Sequence, residues 1–208
     1  MTGRHIIIFI LASVSIWSKA IPATANSWIT ECIDYTIYTK FDSALLVIDR
    51  QIAHDSLNYR AYFYRAATLS SRMTHFENNN DERAFLSAID YTIGIIEKKL
   101  DDTTGMDPAQ HADYLFYLGS AYGYLAFYQG RNGKYFPALS NGLESNGLLN
   151  MAVVMDSTRY DAFLGIGVFK YWRYSKLKFI SWLPFIPDER EEGIALIKKT
   201  INEESASR

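Results

Sequence analysis

An octapeptide that occurs twice constrains this chain more than any other feature. Asp55-Ser56-Leu57-Asn58-Tyr59-Arg60-Ala61-Tyr62 returns as Asp156-Ser157-Thr158-Arg159-Tyr160-Asp161-Ala162-Phe163. A shorter pair, Phe41-Asp42-Ser43-Ala44-Leu45 and Phe85-Leu86-Ser87-Ala88-Ile89, repeats a second pattern of large and small residues. Internal self-similarity marks repeat architectures, whose units are stable only when stacked. Apolar residues around these segments recur at helical spacing: Ala44, Ile48 and Ile52; Phe85, Ile89, Ile93 and Ile96; Ile194, Ile197 and Ile201. Strand signals are scarce, so the chain reads as all-α, built from antiparallel helix pairs.

Composition narrows the function. Hydrophobic residues make up 49% and charged residues 21% of the 208, which fits a folded core rather than a disordered chain. Lys and Arg total 21 against 23 Asp and Glu, so the chain lacks the excess cation of a generic phosphate-binding surface and no nucleic-acid partner is expected. The single cysteine, Cys32, permits neither an internal disulfide framework nor a cysteine-based zinc site.

The first 25 residues read as an address. Arg4 and His5 precede an apolar run from Ile6 to Trp17, and Ala23-Thr24-Ala25 has the small residues of a cleavage site. The run is shorter than the roughly 20 residues that span a bilayer. A signal peptide cleaved after Ala25 is therefore expected, with Ala20 as second choice and a retained anchor as the competing reading. The mature chain is expected to be periplasmic or secreted and to carry no transmembrane span.

The repeat resembles the tetratricopeptide family, in which a large aromatic, a Leu-Gly pair and a Tyr on one helix are followed by an aromatic, an Ala and a closing Pro on the next, over 34 residues. Trp28, Cys32 and Tyr35 stand at the first-helix positions, Phe41, Ala44 and Ile48 at the second-helix positions, and Ser56 where the Pro would be. Leu115, Leu118, Gly119 and Tyr122 give the fullest match to the Leu-Gly core, after an Asp107-Pro108 helix start. The resemblance implies a helical solenoid of about four pairs, with approximate units 26–58, 59–105, 107–159 and 160–208 and insertions between helices of the later units. The likeness is to the degenerate, exported type found in bacterial envelopes. Small residues at the crossings, Cys32 among them, let the helices approach. The sequence ends at Arg208, where a further unit would open, so either the last helix caps the stack or more chain follows.

No residue pattern carries catalysis. The four histidines lack metal-ligand spacing, and no nucleophile elbow, phosphate-binding glycine loop or Cys–His pair is present. Asp101, Thr103, Gly105 and Asp107 have part of a calcium-loop spacing, but Ala112 stands where the loop needs a glutamate. The expectation is a protein that is not an enzyme and has no cofactor and no metal.

Two surfaces are candidates for binding. The resemblance implies a concave face lined by the first helices, pointing to Phe63, Phe116, Tyr124, Leu164 and Tyr171; the competing reading buries these rings as core. The tract 171–187, in which Trp182 and Phe185 are interleaved with Arg173, Lys176 and Lys178, is the second. It reads as a cover for the end of the stack, as a protein-docking surface, or as a peripheral membrane contact. The leading functional expectation is a scaffold for an unidentified envelope protein or peptide. The alternative is a periplasmic small-molecule or transport-accessory protein with an apolar pocket between helices.

Overall fold

The twice-used octapeptide is a turn. In the computed structural model, which describes residues 27–177 and 188–202, Asp55 and Asp156 follow helices and have nearly the same backbone angles, φ −140° and ψ 102° against φ −138° and ψ 97°. Each carboxylate accepts from the amide two residues on, Leu57 at 2.9 Å and Thr158 at 3.0 Å. Asp102 holds Thr104 in the same way at 2.9 Å. An aspartate that satisfies its own turn offers the backbone an alternative to continuing the helix. The expected leader at 1–25, and Trp182 and Phe185 of the aromatic tract, lie outside the described residues.

The turns separate four helix pairs: α1 (Ser27–Ile37) with α2 (Phe41–His54), α3 (Tyr59–His75) with α4 (Glu82–Leu100), α5 (Pro108–Arg131) with α6 (Tyr135–Met155), and α7 (Asp161–Leu177) with α8 (Arg190–Asn202). No strand occurs among the described residues. Within the first three pairs the reversal uses one device. Thr39, Glu77 and Gly133 take left-handed angles, φ 58°, 50° and 75°, and the amide of the following residue reaches back five positions, Lys40 to Tyr35, Asn78 to Met73 and Lys134 to Gln129. Asp107 caps α5 by accepting from the Gln110 amide at 3.2 Å, with Pro108 in the first turn. The Asn78–Asn80 stretch is tied to the end of α5: Asn79 Nδ2 donates to Asn132 Oδ1 at 2.6 Å, and Arg131 Nη2 to the Asn78 carbonyl at 3.1 Å. The added length of the third pair lies in its helices, 24 and 21 residues long, rather than in the turn between them.

Neighbours pack in chain order from α1 to α8, and the odd-numbered helices also touch one another, α1 with α3, α3 with α5 and α5 with α7. The even-numbered helices do not. The odd helices therefore form an inner layer and the even ones an outer layer, the arrangement of an all-α helical-repeat fold. Small residues sit at the crossings. Ala44, Ala66, Ala88 and Ala152 are fully or almost fully buried. Cys32 is buried too, its sulfur 3.8 Å from Thr68 Oγ1, and burial pushes its thiol pKa up. At α7 and α8 the approach is closest: a Cβ on Gly167 would stand 2.5 Å from the Gly193 carbonyl oxygen, and one on Gly193 2.6 Å from that of Gly167. Lys170 adds ion pairs to Glu189 at 2.8 Å and Glu192 at 3.1 Å.

Candidate functional site

On the inner face, between α5, α6 and α7, the helices leave a cavity of about 390 Å³. Its existence follows from residue size. The positions that face it are small: Ser120, Gly123 and Ala126 on α5, Ala138, Gly142 and Ser145 on α6, and Gly165 on α7. Large rings then close its sides. A Cβ on Gly142 would lie 2.7 Å from the Phe169 ring, and one on Gly165 2.5 Å from Leu149 Cδ1, so these glycines admit the side chains that line the walls. Trp172 leans over Gly130 in the same way, at 2.9 Å. The lining is almost wholly apolar, with Ser120, Ser145 and Asp161 the polar members.

Four of the residues expected from the sequence meet here. Phe63 and Phe116 are buried in its wall, Tyr124 stands beside them, and Leu164 lies at its mouth, 46% exposed. Tyr171 is also half exposed but does not line the cavity. Trp182 and Phe185 fall outside the described residues. Sequence reasoning missed Phe127, Val168 and Phe169, and counted Trp172 with the tract 171–187 rather than with the inner face. Two of them carry a signal it did not use: Phe127 is three residues after Tyr124 and Val168 four after Leu164, helical neighbours on the same faces. Phe127 and Val168 complete the mouth with Leu164, at 48% and 50% exposure, so the lip of the cavity is apolar as well as its interior.

Behind the wall lies a buried polar cluster that fixes the inner helices against each other. Asp113 on α5 accepts from the Tyr59 hydroxyl at 2.5 Å and from Arg60 Nη2 at 2.7 Å, both on α3. Its second oxygen pairs with Arg159 Nη1 at 3.1 Å, from the turn into α7. Asp113 and Arg159 are both buried. A buried carboxylate needs such partners, and removing them would leave an uncompensated charge. Arg159 also lies over the Phe116 ring, 5.3 Å from its centroid, so the cluster supports the cavity wall directly. Phe63 packs edge-on against Tyr117 and Tyr124, at 5.1 and 5.7 Å. Burial pushes the Tyr117 hydroxyl up to about 12 and raises those of Tyr59, Tyr64 and Tyr124, so these phenols stay protonated in neutral solution.

The arrangement can enclose an apolar group. Among the described residues no three His, Cys, Asp or Glu side chains converge as metal ligands would, and no helix is long and apolar enough to cross a membrane. No protein-family model matches the chain, and no curated protein matches it.

Proposed function

We propose that this chain is an exported, non-catalytic binding module of a bacterial envelope, and that its inner-face cavity receives an apolar side chain or short apolar segment of a partner polypeptide. The observation that carries this reading is the mouth. A site built for a small metabolite buries most of its ligand inside and needs no apolar surface beyond its opening. Here Phe127, Leu164 and Val168 keep the lip apolar and half exposed, which suits an occupant that continues outward and covers the lip with apolar surface of its own. The export part of the proposal rests on the sequence of residues 1–25, and the likeness to tetratricopeptide scaffolds supports the binding part. The cavity volume favours a second reading, a small apolar molecule, since about 300–1,000 Å³ is the usual range for such sites.

One pair of experiments separates the two. A bait of residues 26–208 is compared with its Leu164→Glu variant in a pull-down from a mildly solubilised envelope fraction. A discrete partner held only by the unaltered bait supports the first reading. No partner, together with a rise in melting temperature on adding small apolar compounds that Val168→Trp abolishes, supports the second. Neither result from a bait with full helical circular dichroism removes both.

A further inference from the structure

The repeat contains a filled counterpart of the cavity. With the turn at Asp55 set on the turn at Asp156, the helices on either side align without a gap, α2 with the part of α6 from Gly142 on and α3 with α7. α1 aligns with α5 when Trp28, Cys32 and Tyr35 are set on Leu115, Gly119 and Tyr122. The junction of α1, α2 and α3 therefore corresponds, position by position, to the junction of α5, α6 and α7 where the cavity lies. At one place the two junctions trade a ring. Phe41 and Thr68 stand where Gly142 and Phe169 stand in the second, so a phenyl group is kept and comes from the other helix. At the next place the ring is lost. Ile48 and Tyr64 correspond to Leu149 and Gly165, and leucine matches isoleucine in volume while glycine gives up the whole tyrosine side chain. Facing them, Ile33 and Thr36 of α1 become Ser120 and Gly123 of α5. Phe116 gains a ring over Ile29, but Leu115 loses one against Trp28. Gly165, Leu149, Ser120 and Gly123 all line the cavity.

We propose that the cavity is selective for a neutral aromatic ring, seated beside Gly165 in the place that the Tyr64 side chain has in the first junction. The inference rests on the cavity being a binding site, as proposed above, and adds the chemical class of what enters. In the first junction the Tyr64 ring is buried and meets Trp28 and Phe63 edge-on, with centroids 5.8 and 5.2 Å away. Phe63 also lines the cavity, where Phe116, Phe169 and Trp172 offer further rings. Edge-to-face contacts of this kind favour an aryl group over a saturated one of the same size. The volume of about 390 Å³ holds a ring with room toward the mouth for the group that carries it, since a closed cavity of about 150 Å³ already takes benzene. The only ionisable side chains among the lining residues are Asp161 and Tyr124, so an anionic ring finds no counter-charge there.

The test is titration calorimetry of residues 26–208 with matched probes. Para-cresol, the tyrosine side chain as a free molecule, should bind roughly three- to tenfold more tightly than its saturated counterpart methylcyclohexanol. Benzoate should bind more weakly than para-cresol. A capped Ala-Tyr-Ala peptide should exceed a capped Ala-Leu-Ala peptide in the same way, and comparing it with para-cresol tells whether the ring enters best as a free compound or on a polypeptide. Gly165→Tyr combined with Leu149→Ile rebuilds the Ile48–Tyr64 pair of the first junction and should abolish para-cresol binding with helical circular dichroism retained. Ser120→Ile, a smaller step toward Ile33, should weaken binding severalfold and serves where the double variant does not fold. Equal affinity for para-cresol and methylcyclohexanol overturns the inference and leaves the cavity a binding site. Undiminished para-cresol binding by a folded variant also overturns it, since the ring then sits elsewhere. Failure of every probe to bind overturns the inference together with the reading of the cavity on which it rests.

Discussion

The two halves of this molecule share a repeat and close it differently. α1–α4 contain one glycine, Gly94, and α5–α8 contain eight. Of the ten largest side chains withdrawn almost completely from solvent among the described residues, only Leu149 comes from the second half; Phe85, Ile48, Leu69, Met73, Ile89 and Ile96 are among those from the first. At its buried crossings the first half fills the space between helices with side chains. The second brings backbones together, as at Gly167 and Gly193, and elsewhere leaves the space open. The cavity thus lies where the packing is given up.

This contrast can be broken or sharpened by measurement. Phe85→Ala should destabilise most, by about 4 kcal/mol in chemical denaturation, because a fully buried ring leaves a cavity that its neighbours cannot fill. Phe127→Ala, at the half-exposed mouth, should lose far less; equal losses would erase the distinction between the halves. At the junction between them, Tyr117 binds its proton more tightly folded than unfolded. Its contribution is complete below about pH 10 and is lost as pH rises toward 12, an effect of about 2–3 kcal/mol. The Tyr117 share of tyrosinate absorbance, taken as the difference from a Tyr117→Phe variant, should therefore rise together with loss of helical signal, not before it. Gly167→Ala should destabilise by about 2 kcal/mol, since the obstructing atom is a backbone oxygen that cannot rotate away. Gly94→Ala should do the opposite and stabilise by about 0.5–1 kcal/mol, because that helical position faces open space. A shared sign for the two substitutions would refute the claim that glycine does different work in each half. Smallest of all, Glu77→Gly should raise stability by about 0.5 kcal/mol by relieving a left-handed backbone.

Much of the fold was legible because repeated turns leave repeated residues. The octapeptides point to the joints between pairs, and Asp107-Pro108 to the start of α5, since a side chain that caps or turns the backbone acts within a few residues of itself. Small residues at helical spacing likewise marked the crossings at Cys32, Ala44 and Gly119. The cavity was only half legible. Phe63, Phe116, Tyr124 and Leu164 could be placed on the inner face, but a small residue in a sequence does not say whether a neighbour fills the space it leaves. Gly119 is met by Leu149 and Leu148 at 3.0 and 3.1 Å, whereas Gly123, one turn on, meets only Ser145 and lines the void. That difference depends on which residues a distant helix presents, and no local pattern records it. Which side of α6 faces outward was hidden for a related reason: with one charged residue in 21, it has no charged face to mark it.

The layering has a mechanical consequence. The inner helices touch along the whole stack, while the outer ones are separated from each other. Such an object behaves as a leaf spring. Curling it tighter compresses inner contacts already made and is stiff. Uncurling it draws the inner helices, α5 and α7 among them, apart and closes the gaps between the outer ones, which make no contact with one another to resist it. A ligand wedged between those two helices would then set the curvature of the whole spring.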